Sequence, residues 1–262
     1  MSDSDQDPTA TQLLAPGAED AGSQQVRTGG AAAGELWAGR DRLALALDVD
    51  DLVLAHRLAR DLQPWFGVAK VGLELYTAAG PDAVSTLVEL GFDVFLDLKL
   101  HDIPTTVGKA ANVIGALGVR YLTLHAHGGV AMLRAGVEGL AEGAARADEP
   151  EPTALAVTVL TSDRDAPPHI VPKRVMTALE AGCGGLICGA PDIEEVLALA
   201  PGLKVVVPGT RPRGGDLHDQ ARTDSPEAAL AAGASMLVIG RTVTAAADPR
   251  AAAAALAAAL DA

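Results

Sequence analysis

The segment Phe95-Leu-Asp-Leu-Lys-Leu-His-Asp-Ile-Pro104 carries the residues of this chain best suited to chemistry. It places Asp97, Lys99 and Asp102 where an apolar run gives way to a loop. Strand alternation puts Asp97 and Lys99 on one face. An acid and an amine projecting together from such a run are costly to bury unless they pair. The bland alternative is a surface ion pair. The functional reading is a charge pair kept at the strand end because it serves a purpose there.

Other polar residues stand at comparable places. Asp48 ends Leu45-Ala-Leu-Asp48, and Lys70 lies within Ala69-Lys-Val-Gly-Leu-Glu-Leu75. His125 and His127 follow one apolar run, and Thr161 with Ser162 follows the next. Pro208-Gly-Thr-Arg211 and Gly240-Arg241 close the last two. Each has a plain structural explanation. Asp48 can cap a helix, Lys70 can snorkel along the surface, and the two histidines can be hydrogen-bonded residues without a metal. No His-Glu-x-x-His or comparable spacing indicates a metal ligand set.

These residues need a scaffold that aims strand ends at one place. From Asp41 onward a strand-then-helix pattern recurs eight times. The strands are expected at Leu43–Asp48, Gly67–Gly72, Asp93–Lys99, Arg120–His125, Thr153–Leu160, Gly185–Gly189, Leu203–Pro208 and Met236–Gly240. Helices are expected at Leu52–Leu62, Ala83–Leu90, Val107–Leu117, Ala131–Ala144, Ile193–Leu199 and Arg250–Leu260, with Gly118 and Gly182 at C-terminal caps. Alternating β and α elements imply a parallel sheet, and eight units fit a closed (β/α)8 TIM barrel in a single domain. A doubly wound open sheet is the alternative, weakened by the absence of G-x-G-x-x-G after the first strand. In such a barrel chemistry gathers at the C-terminal strand ends, with phosphate commonly bound after strands 7 and 8. Arg211 and Gly240-Arg241 fall there, offering guanidinium forks and backbone amides.

Composition narrows the function. The chain has 262 residues, is 49% hydrophobic and only 3% aromatic, as suits parallel strands under alanine-rich helices. A formal net charge of −14 argues against nucleic acid or an anionic membrane as the main partner. A small phosphorylated ligand remains compatible, since a few local cations suffice. Cys183 and Cys188 are the only cysteines and read as buried core residues. No run is apolar enough to span a bilayer and no signal peptide is evident, so a cytoplasmic location is expected. Residues 1–40 hold six acids against two arginines with little apolar periodicity, and are expected to be a disordered tail before a barrel domain at 41–262.

Five ordered signatures together resemble the orotidine 5′-monophosphate decarboxylases. They are Ala-Leu-Asp48, Lys70-Val-Gly, Asp97-Leu-Lys-Leu-His-Asp-Ile-Pro104, Val157-Thr-Val-Leu-Thr-Ser162, and Pro208-Gly-Thr-Arg211 with Gly240-Arg241. Leu100 stands where an aromatic is usual and Thr105 where Asn is usual. The resemblance implies decarboxylation of orotidine 5′-monophosphate to UMP with no metal and no cofactor. It implies Lys99 as catalytic cation and proton donor, with Lys70, Asp97 and Asp102 completing a charged network. It further implies a homodimer in which Asp102 enters the neighbouring subunit's site. Asp48 resembles a ribose contact and Thr161 a pyrimidine contact, and Thr105 and Thr106 lie in the stretch lining the nucleotide. Arg211, Gln220, Gly240 and Arg241 match phosphate-side positions, with the loop after strand 7 closing over the ligand. Magnesium-dependent sugar-phosphate lyases of the same barrel share the D-x-K-x-x-D core, and a non-catalytic nucleotide-binding protein is the reading from another class.

Overall fold

The computed structural model describes residues 36–163, 165–210 and 225–261. Eight parallel strands close into a barrel in sequence order, each hydrogen-bonded to the next and the last to the first. The strands are β1 (Leu43–Ala46), β2 (Val68–Val71), β3 (Asp93–Leu100), β4 (Tyr121–His125), β5 (Thr153–Val157), β6 (Gly185–Ile187), β7 (Lys204–Pro208) and β8 (Met236–Ile239). The helices are α1 (Leu52–Leu62), α2 (Leu73–Ala79), α3 (Asp82–Glu89), α4 (Pro104–Gly115) and α5 (Gly129–Arg146). They continue as α6 (Ile170–Ala181), α7 (Ile193–Leu199), α8 (Pro226–Ala231), α9 (Arg241–Thr244) and α10 (Pro249–Leu260). The closed barrel disposes of the open-sheet alternative.

Two apolar layers hold the barrel. Inside it, Ala44, Ala46, Val68, Phe95, Tyr121, Leu155 and Val206 form one buried cluster with their neighbours. Outside it, strand residues such as Leu45, Val94 and Leu122 meet the helices in a second, larger cluster. Strands buried on both faces read as continuous apolar runs, which is why the pattern marked them so clearly.

The helices start where local chemistry directs. Asp51, Ser225 and Asp248 each accept a first-turn backbone N–H with the side chain, capping α1, α8 and α10. Pro104 opens α4 at a position where its missing N–H costs nothing. Gly182 ends α6 at φ +81°, as its cap role requires. Gly118 also has positive φ but stands two residues past the Ala116 cap of α4. Helices α4 and α5 touch through backbone: a Cβ on Gly139 would lie 2.2 Å from the Gly108 carbonyl oxygen.

Residues 36–40 pack against the barrel's N-terminal end rather than joining a tail. The Trp37 indole donates to Asp261 at 2.9 Å, and the Trp37 amide donates to the Pro64 carbonyl. The expectation of a tail over residues 1–35 lies outside the described residues. Cys183 and Cys188 are buried and free, and burial pushes both thiols up to about 12. Among the described residues no helix is long and apolar enough to cross a membrane.

Candidate active site

The C-terminal ends of the strands surround a cavity of about 540 Å³. Its lining includes Asp48 after β1, Lys70 on β2, and Asp97 and Lys99 on β3. Thr161 comes from beyond β5, Pro208–Thr210 from the end of β7, and Gly240 with Arg241 from beyond β8. Phe95, Val157, Ile187 and Val238 give it apolar walls. The polar strand ends singled out in the sequence therefore converge on one space, save Ser162 and those named below.

Four charges alternate along one wall. The Lys70 ammonium donates to Asp48 Oδ1 at 2.8 Å and lies 4.0 Å from Asp97 Oδ2. Lys99 Nζ donates to both Asp97 oxygens at 2.8 Å. Lys70 is 8% exposed, so it is no snorkelling surface residue. Gly72 leaves the room this pair needs, because a Cβ there would stand 3.1 Å from Lys70 Nζ. Asp48 is not the cap of α1; Asp51 takes that role, and Asp48 is left to pair with Lys70. Desolvated charges of one sign repel and unpaired ones are costly, and alternation answers both problems.

The β3 end departs from the regular alternation expected of it. Register against β4 shifts between Leu96 and Leu100, and Lys99 sits at φ +51°. A non-glycine residue in that left-handed region costs roughly 1–2 kcal/mol. The compensation is local: the Lys99 amide donates to Thr123 Oγ1 at 2.8 Å, and that hydroxyl donates to Asp97 Oδ1 at 2.9 Å. Asp97 and Lys99 do meet, but across this irregular turn rather than along a flat strand.

Asp102, Thr105 and Thr106 do not line the cavity. Residues 101–106 are all exposed in the single chain. Asp102 Oδ1 accepts from the Ile103 amide at 2.6 Å, and Ile103 is 66% exposed. Thr105 lines a separate groove between α4 and α5, with Lys109 and Glu138. Arg211, Gln220 and the loop expected to close over a ligand lie outside the described residues.

Behind the β3 and β4 ends stand three histidines. The rings of His101 and His125 lie 5.5 Å apart between centroids, and His127 is 5.5 Å and 6.2 Å from them. His125 Nδ1 accepts from the His127 amide at 3.3 Å. Burial, followed by the positive charge of Arg174 nearby, lowers His125 from its ordinary 6.5 to about 4. Arg174 also donates to the Thr158 carbonyl and approaches His127 Nδ1 at 3.4 Å. Among the described residues no group of three or more His, Cys, Asp or Glu is placed to hold a metal ion.

Sequence reasoning passed over Thr123 and Glu74, the last also lining the cavity, and named Gly72 only within the Lys70-Val-Gly signature. Thr123 sits in the run Tyr121-Leu-Thr-Leu124, where a threonine is an ordinary strand residue. Glu74 gave no signal either, since its importance depends on where the β2 end meets β1.

Known proteins resemble this chain over most of its length. The sequence profile described as "Orotidine 5'-phosphate decarboxylase / HUMPS family" matches residues 41–256. An orotidine 5′-phosphate decarboxylase from Moorella thermoacetica is 45% identical over 234 residues, covering 85% of this chain and 93% of that protein. One from Thermobifida fusca is 45% identical over 232 residues, covering 83% and 95%. The crystal structure of orotidine 5′-phosphate decarboxylase from Lactobacillus acidophilus superposes with a TM-score of 0.71 at 33% identity, covering 85% of this chain and all of that one. The match takes in every strand of the barrel and each described residue of the charged wall, and on it the chain belongs to the orotidine 5′-phosphate decarboxylase / HUMPS family.

Proposed function

We propose that this chain decarboxylates orotidine 5′-monophosphate to UMP, using neither a metal nor an organic cofactor. The alternating row Asp48–Lys70–Asp97–Lys99 along one wall of the cavity, with Lys70 buried at its centre, carries the reading. Cleavage of the bond between C6 and the carboxylate leaves its electron pair on C6, in a vinyl-type anion the pyrimidine ring delocalises poorly. A fixed ammonium beside that carbon stabilises the charge without reorganisation, most strongly where water is excluded. Lys99 then delivers a proton to C6, releasing UMP and CO2, and recovers a proton from solvent. Asp97 and Thr123 fix where that ammonium stands.

Enzymes lower barriers by about 8–23 kcal/mol, and one lysine does not supply the upper end. Contacts remote from the reacting carbon provide the remainder. Asp48 serves the ribose, Thr161 the pyrimidine, and Gly240 with Arg241, Arg211 and Gln220 the phosphate. The site is completed by Asp102 of a second copy, together with Thr105 and Thr106, in a homodimer. The run of exposed residues at 101–106, including a largely exposed Ile103, supports a partner over that rim. Two buried, free thiols support a reducing, cytoplasmic setting.

The test is a spectrophotometric assay of orotidine 5′-monophosphate loss by the purified chain, with and without EDTA. Turnover unaffected by the chelator is expected. Activity lost in EDTA and restored by Mg2+ would refute the metal-free mechanism. Lys99→Ala is expected to lower turnover by more than about 10⁴-fold while UMP still binds. Near-normal decarboxylation by that variant would overturn the assignment of Lys99.

A further inference from the structure

The β3–β4 register contains an imbalance that only one side chain resolves. Leu96 stands opposite Leu122, and Leu100 opposite Leu124. Asp97, Leu98 and Lys99 therefore share the space opposite Thr123 alone. A surplus of this kind breaks the ladder and leaves backbone groups without their strand partners. The Lys99 N–H is one of them, and it donates to the Thr123 hydroxyl at 2.8 Å instead of to a carbonyl. The same hydroxyl gives its proton to Asp97 Oδ1 at 2.9 Å. Thr123 is fully buried, so water does not replace either bond.

We infer that Thr123 is a positioning residue for the reaction, its hydroxyl locking the Lys99 backbone and the Asp97 carboxylate into one geometry across the β3 bulge. The hydroxyl holds the left-handed turn at Lys99 from the backbone side. Asp97 holds the Lys99 ammonium from the side-chain side, with both oxygens at 2.8 Å. One donor–acceptor group thus ties the two ends of the same lysine together. Thr123 does not line the cavity, and its effect on a substrate passes through Lys99 and Asp97. Its β-branched side chain has few rotamers, which keeps the oxygen aimed at the bulge.

The kinetic consequence rests on the decarboxylase reading; the structural one does not. Thr123→Val keeps the shape and removes the hydroxyl, while Thr123→Ser keeps the hydroxyl and removes the methyl. The experiment measures kcat and KM for orotidine 5′-monophosphate, together with exchange of the Lys99 amide by NMR. Thr123→Val is expected to lower kcat by about 10- to 100-fold, the range for losing a hydrogen bond to a charged group. Its KM should stay within about threefold, because the lost contacts act on the lysine rather than on ground-state binding. The Lys99 amide should exchange at least about 10-fold faster than in the wild type. Thr123→Ser should restore both readouts to within about threefold.

A wild-type kcat in Thr123→Val overturns the inference. So does an equal loss in the valine and serine variants, which would make the methyl packing the cause. If the wild-type chain fails to decarboxylate the substrate, the proposed function fails. The exchange comparison then still decides the inference: Lys99 protection unchanged in Thr123→Val refutes it, and protection lost in valine but kept in serine sustains it.

Discussion

Replacing Lys70 with methionine separates the charge of this residue from its bulk. The ammonium lies 4.0 Å from Asp97 Oδ2, where an effective dielectric of 20 gives an attraction of about 4 kcal/mol. Its 2.8 Å bond to Asp48 is worth less than the distance suggests, because the Asp48 side chain is 58% exposed and water screens it. A partly solvated pair of that kind contributes about 0–1 kcal/mol. Against these stands the cost of holding an ammonium in a side chain 10% exposed, several kcal/mol per ion. Methionine fills the stem, Asp48 returns to water, and Asp97 keeps its bonds from Lys99 and Thr123. The terms nearly cancel, so Lys70→Met should alter stability by less than about 1.5 kcal/mol. At about 2–4 °C per kcal/mol for a domain of this size, Tm should stay within about 6 °C. Decarboxylation should fare differently. Loss of one preorganised charge at the site is expected to lower kcat/KM by about 10²–10³-fold. Thermal unfolding and the substrate-loss assay on one preparation decide both halves. A wild-type kcat/KM would refute the role of the Lys70 charge, and a fall in Tm beyond about 10 °C would refute the electrostatic balance.

The α4–α5 contact predicts a purely steric effect. Gly139→Ala puts a Cβ 2.2 Å from the Gly108 oxygen and 3.0 Å from its carbonyl carbon, both backbone atoms that move only with their helix. Overpacking of this kind costs about 1–3 kcal/mol, so Tm should fall by about 2–12 °C, and an unchanged Tm would refute the contact. The histidine group predicts a pH effect. Folded His125 takes up its proton only near pH 4, whereas the unfolded chain takes it up near 6.5. Between those values the unfolded state binds more protons, so stability is full above pH 6.5 and declines as pH falls toward 4. Denaturant unfolding across that window should show this decline flattened in His125→Gln, and an unaltered slope would refute the assignment.

What the sequence disclosed, and what it hid, follows from the range of the interactions involved. Strands buried on both faces announced themselves as apolar runs, and the charges ending them stood out by contrast. That was enough to bring Asp48, Lys70, Asp97, Lys99, Thr161, Gly240 and Arg241 to one cavity. Short elements were harder. Helix α2 follows β2 after the single residue Gly72, and α9 has four residues, too few for an amphipathic pattern to emerge. Roles set by contacts distant in sequence were hidden altogether. Whether Asp48 or Asp51 caps α1 depends on Lys70, more than 20 residues away. Thr123 looked like an ordinary strand residue because its task exists only once β3 and β4 are aligned.

That alignment also explains why Asp97 and Asp102 have different surroundings although five positions separate them. The bulge at 97–99 turns Lys99 back onto Asp97 within the barrel mouth, and the chain leaves β3 at Leu100 immediately afterwards. Three residues then reach Pro104, whose fixed φ starts α4. So short a connection leaves Asp102 on the outer side of the rim, bonded to the Ile103 amide and exposed. α4 in turn packs backbone-to-backbone on α5, which fixes the helix that follows Asp102. A carboxylate fixed this way is suited to a site outside its own barrel. On the proposed reading the D-x-K-x-x-D spacing is therefore a division of labour: its first half serves the chain that carries it, and its second half serves a second copy.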